Sequence, residues 1–221
     1  MLSEIFKLFW KTVERKDARR INSQTPPTEI EQFCDIQYID DGLWQHRLDV
    51  YSKSGKLSHR PVIIDIHGGG WMYGTKEINK NYCLVLAQND YVVVNINYRL
   101  APDFSVADQL RDCFSAFKWV STNIEKYGGD LNNVFVTGDS AGGFLAAYSA
   151  LLNSSEKLRK IFGVTESGLE FRACGLTSPV CFMNTHTFQD VYYSRVKGKE
   201  FSESTLRGFE NFDAVLNKGS M

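Results

Sequence analysis

Residues 134–152, VFVTGDSAGGFLAAYSALL, decide the fold. Val134–Val136 is a short β-branched and aromatic run of the kind found in a buried strand. Ser140–Leu152 is apolar nearly all round, as a buried helix is. Between them Gly138-Asp139-Ser140-Ala141-Gly142 fits G-x-S-x-G. A strand can turn this sharply into a helix only if the side chains two residues either side of the bend vanish, hence Gly138 and Gly142. Such a turn lifts the Ser140 hydroxyl above the sheet and sets the helix N-terminus beneath any negative charge developing there. The bland alternative is a tight βα turn with no chemistry.

Reading outward, the same alternation recurs. Ser105–Tyr127 carries an S-x-x-D cap (Ser105, Asp108), an apolar stripe through Val106, Leu110, Cys113, Phe114, Phe117 and Ile124, and a Gly128-Gly129 stop. Val62–Ile66 and Tyr91–Ile96 are apolar enough to be buried on both faces, with Ile78–Gln88 a helix between them. Cys34–Asp40 and Arg47–Tyr51 alternate around Asp41-Gly42 as a hairpin does, and Phe171–Leu176 is a further strand. The order predicts an α/β chain: a mostly parallel sheet, helices on both faces, and an N-terminal antiparallel hairpin.

Composition narrows the class. The chain's 221 residues carry 25 Lys and Arg against 26 Asp and Glu, a formal net charge of -1, so no basic field exists to hold a nucleic acid. Five scattered cysteines with no C-x-x-C pair suggest neither a zinc site nor a disulfide framework, and point to a cytoplasmic protein with reduced thiols. No apolar run approaches the roughly 18 residues of a membrane span. Glu4 and Lys7 interrupt the apolar start, against a secretory leader. Residues 3–16 form an amphipathic helix with Ile5, Phe6, Phe9, Trp10 and Val13 on one face. It either lies over the mouth of a site or packs on the body, or else it touches lipid as a peripheral surface helix.

His67-Gly68-Gly69-Gly70 follows the strand Val62–Ile66 directly. Three glycines leave backbone N–H groups unshielded, and such groups can aim at the oxyanion of a tetrahedral acyl intermediate. Alone, the run reads equally as a flexible loop. With the serine bend it supplies what that bend lacks, an anion site.

His67-Gly68-Gly69-Gly70, Asn97-Tyr98-Arg99-Leu100-Ala101-Pro102 and Gly138-Asp139-Ser140-Ala141-Gly142-Gly143 together resemble the hormone-sensitive lipase-like family of α/β-hydrolase esterases. The likeness runs over about residues 35–182, with Gly129-Asp130 and Ser178-Pro179-Val180 fitting as well. It implies that Ser140 is the nucleophile and that the N–H groups of Gly69, Gly70 and Ala141 form the oxyanion hole. It also implies that His67, Gly68, Gly138, Asp139 and Gly142 are structural, and that Arg99 holds a loop. Trp71 and Met72 would line an acyl pocket or simply belong to the core. The implied divisions are a helical cap segment at 1–30, a hydrolase core at 31–182 and a partial cap-like segment at 183–221, where Leu206, Phe209, Phe212 and Leu216 form a helical stripe. No metal and no organic cofactor is expected.

The pattern is incomplete. The fold's order is Ser, then Asp or Glu, then His. Beyond Ser140 the one histidine is His186, and Asp190 and Asp213 follow it in reversed order, so acid, base and C-terminal strands are expected to be missing. Three readings follow: a carboxylic ester hydrolase for small acyl esters, left nearly inert by truncation; a non-catalytic ligand-binding or vestigial relative; and a serine peptidase of the same fold.

Overall fold

The computed structural model describes residues 2–55 and 59–180, with side chains from Leu8 onward. His186 and the stripe at 206–216 lie outside the described residues. Six strands form one sheet: β1 (Ile30–Gln37), β2 (Arg47–Lys53), β3 (Arg60–Ile66), β4 (Val92–Ile96), β5 (Gly129–Asp139) and β6 (Phe171–Thr177), in spatial order β1-β2-β4-β3-β5-β6. The four from β4 to β6 run parallel, while β1 and β2 make the expected antiparallel hairpin, β2 closing on β4. Among the described strands β6 is an outer one, and Leu176 on it is exposed.

Strand alternation divides the core. Val92, Val94 and Ile96 of β4 join the main cluster with Leu110, Phe114 and Phe117 of α3 (Val106–Asn123) and Phe144 and Leu145 of α4 (Ala141–Ser154). Val93 points the other way, into a smaller cluster with Cys83, Leu84 and Ala87 of α2 (Lys80–Gln88). Helices therefore cover both faces, as the period-two pattern requires. The cap of α3 forms as read: Ser105 Oγ accepts from the Asp108 N–H at 3.3 Å and Asp108 accepts from the Ser105 N–H at 2.9 Å. That helix ends four residues before Tyr127, giving way to a 3₁₀ turn (Ile124–Tyr127) stopped by Gly128 at φ 82°. A helix the sequence reading passed over, α5 (Glu156–Phe162), is capped by Ser155 and ended by Gly163.

Two ionic clusters fasten the hairpin to the elements around it, each with a buried cation at its centre. Lys76, 3% exposed, places its ammonium 3.1 Å from Asp35, 3.0 Å from Asp49 and 2.9 Å from Glu77, and Tyr51 Oη donates to Asp49 at 2.6 Å. Burial disfavours the charge, but the three carboxyls outweigh it and raise the lysine's pKa. The second cluster is His46, whose Nδ1 lies 2.7 Å from Asp41 and Nε2 3.2 Å from Asp112. Carboxylates only accept hydrogen bonds, so both nitrogens bond in full only when both carry protons. Burial pulls this imidazole's pKa down, yet Asp112 and Asp41 raise it above its ordinary value. Asp112 also takes the Arg99 guanidinium in a fork, Nη2 to Oδ1 at 2.6 Å and Nε to Oδ2 at 2.9 Å, and the Arg99 N–H at 2.9 Å. These contacts tie Arg99 to α3.

Candidate active site

The backbone at Ser140 has φ 51° and ψ -114°, a conformation most L-residues avoid. It is held there by β6, α4 and the segment after β6: the Ser140 N–H donates to Thr177 O at 2.9 Å, and Ser140 O accepts from Phe144 N at 3.1 Å and Val180 N at 3.2 Å. The flanking glycines are steric necessities. A methyl on Gly138 would collide with the Gly142 carbonyl, and one on Gly142 would collide with the carbonyls of Ile66 and His67. The bend is thus packed directly against the end of β3.

That contact sets the glycine segment beside the serine. Ile66 pairs with Gly138 in register, so His67–Gly70 leaves β3 where Ser140 leaves β5. Gly69 and Gly70 take φ 120° and 57°, and the Gly69 carbonyl accepts from Met72 and Tyr73 at 3.2 and 3.0 Å. Asp139 fastens the two motifs, accepting from the Gly68 N–H at 3.0 Å and from Asn79 Nδ2 at 2.9 Å. Asn79 Nδ2 also donates to the buried Asp65 at 2.9 Å, bridging two carboxyls. Burial, with a smaller contribution from Asp139, raises the Asp65 pKa to about 7.

His67 is buried, stacked on Tyr98 with ring centroids 4.4 Å apart, and hydrogen-bonded through Nδ1 to Gly68 O at 2.7 Å. Burial lowers its pKa to about 4, so the ring is neutral near pH 7 and turned into its own loop. Tyr98 Oη donates to His67 O at 2.7 Å, tying the 97–102 segment to the same place. Trp71, left open between pocket and core, is 1% exposed and packs edge-on to Phe144 at 5.3 Å. Its carbonyl accepts from Ala101 N and Gln109 Nε2. Met72 instead lines a cleft of about 310 Å³ with Tyr73, Gly74 and Leu100, roofed by α1 (Leu2–Asn22) through Asp17 and Ile21.

Among the described residues no histidine hydrogen-bonds the Ser140 hydroxyl. His46 and His67 are engaged as above, and His59 sits at the far end of β3. The sequence reading missed the Asn79 bridge and the His46 cluster; the one signal was a lone acid, Asp65, inside the apolar run Val62–Ile66. No three of His, Cys, Asp or Glu among the described residues are grouped to hold a metal ion.

Residues 48–187 match the BD-FAE family. The chain belongs to it. Arylacetamide deacetylase from Oryctolagus cuniculus is 46% identical to this BD-FAE chain over 130 residues, 56% of the chain and 32% of that protein. Carboxylesterase NlhH from Mycobacterium tuberculosis is 34% identical over 145 residues, 63% of the chain and 45% of that protein. A phosphonate-inhibited esterase B from Lactobacillus rhamnosis superposes with a TM-score of 0.82 at 30% identity, over 98% of this chain and 67% of that one. The architecture is the α/β-hydrolase fold. The chain spans a third to under a half of the length of these two curated relatives.

Proposed function

We propose that this chain carries the nucleophile and oxyanion-binding half of a carboxylic ester hydrolase acting on small acyl esters. Ser140 Oγ attacks the ester carbon, and the N–H groups of Gly69, Gly70 and Ala141 receive the charge that develops on the carbonyl oxygen. The observation carrying this reading is the Asp139 hydrogen bond to the Gly68 N–H, with Gly142 packed on the Ile66 and His67 carbonyls. Together they hold bend and glycine run side by side before substrate arrives. Preorganised donors of this kind contribute about 3 kcal/mol each to lowering the barrier. His67, neutral and committed to Gly68, serves as a brace. Residues 1–30 form a cap beside the site, and the free thiols of Cys34, Cys83, Cys113 and Cys174 fit a reducing cytoplasmic setting.

Serine is a weak nucleophile without a base to take its proton. The engagement of His46 and His67 elsewhere favours a second reading, a relative that binds acyl ligands without turning them over. Hydrolysis of p-nitrophenyl butyrate separates the two. On the first reading Ser140→Ala removes the enzymatic rate and abolishes labelling by a fluorophosphonate probe. Equal background rates and no labelling of the unaltered chain would leave the binding reading standing.

A further inference from the structure

α1 has two sides of different chemistry. Its inner side is docked: Trp10 stacks on Tyr73 with centroids 5.4 Å apart, and Tyr73 Oη donates to Asp17 at 3.2 Å. The acidic Glu14 and Asp17 both line the cleft beneath it. The opposite side, running Leu8, Thr12, Arg15, Arg19 at helical spacing and flanked by Lys11 and Lys16, is exposed throughout. Leu8 is 69% and Phe9 57% exposed, the most solvent-accessible large apolar side chains among the described residues. The helix holds six basic and three acidic residues, whereas the whole chain has a net charge of -1.

We propose that the outward side of α1 is a docking surface for an anionic lipid bilayer. Phosphate headgroups match the basic row, and the acyl layer just below them matches Leu8 and Phe9. No helix among the described residues is long and apolar enough to cross a membrane, so α1 lies along the surface. Because the inner side of α1 roofs the cleft beside Met72 and Tyr73, docking by its outward side sets that cleft one helix away from the lipid surface. The consequence that substrate esters are drawn from the membrane rests on the hydrolase reading; the docking itself does not.

The test is flotation of the full chain with vesicles of phosphatidylcholine alone or with one third phosphatidylserine. Binding is expected on the anionic vesicles and to fade as salt rises. Lys11→Gln/Arg15→Gln/Arg19→Gln should weaken it by on the order of a hundredfold, about fivefold for each charge removed. Leu8→Ser/Phe9→Ser should weaken it by at least about tenfold. All five side chains are exposed, so unchanged circular dichroism and melting are expected of both variants. Equal binding to neutral and anionic vesicles, or either variant binding like the parent, overturns the proposal. Self-association abolished by Leu8→Ser/Phe9→Ser, with no vesicle binding, assigns the surface to a second copy instead and also overturns it. Vesicle binding without ester hydrolysis would sink the hydrolase reading and leave this one intact.

Discussion

Replacing His46 by leucine isolates one ionic contact whose worth depends on pH. The ring is 3% exposed and sits between Asp112, 1% exposed, and Asp41, 36% exposed. Breaking a buried pair ordinarily destabilises by about 3–5 kcal/mol, because the surviving charge is stranded. Here Asp112 keeps the Arg99 fork, and Asp41 faces water, so about 2 kcal/mol is the expected loss. For a chain of this size that is roughly 4–8 °C in Tm. The sign follows from linkage. The folded pKa lies above the unfolded value, so the stabilisation is complete below about pH 6.5 and vanishes as pH climbs through the folded pKa. Melting curves of both proteins by circular dichroism, from pH 5.5 to 9, should therefore converge at the alkaline end. A gap that stays constant or widens above pH 7 would mean the ring is neutral in the fold and would refute the reasoning.

Other consequences are as direct. Gly142→Ala drives a methyl into the end of β3, so Tm should fall by an amount equivalent to about 1–3 kcal/mol, and any fluorophosphonate labelling of Ser140 should fall with it. Asp65 has a folded pKa near 7 against an unfolded one near 4, so the wild type loses stability as pH rises between them. Asp65→Asn keeps an acceptor for Asn79 and should be more stable than wild type at pH 8 by up to a few kcal/mol, with no gain at pH 4, as read by urea unfolding. Lys76→Met strands the fully buried Asp49, while Asp35 and Glu77 face water; a loss of about 3 kcal/mol at neutral pH is expected, read by urea unfolding.

The inner parallel strands were legible because Val62–Ile66 and Val92–Ile96 are apolar, largely β-branched runs bounded by turn residues, as strands buried on both faces are, and the hairpin was legible from its alternation. Ser140 and the glycine segment were legible because the backbone there tolerates few residue types. α5 escaped because seven residues with a charged outer side make too short a period to read. The Asn79 bridge and the His46 cluster escaped for a different reason. His46 meets Asp112 across 66 positions of chain, and Asn79 meets Asp139 across 60, and side-chain partners chosen by folding leave no local pattern. The same applies to α1: its apolar residues were assigned to one side, yet Trp10 turns inward while Phe9 faces water.

Gly68, Gly138 and Gly142 each sit where a single added carbon would strike backbone or the Asp139 carboxyl. Their identity is dictated by how closely two strand ends approach, whatever reaction does or does not take place above them. A descendant that lost all turnover but kept its shape would still have to retain all three, so these glycines testify to architecture, and evidence of chemistry has to come from the hydroxyl they surround.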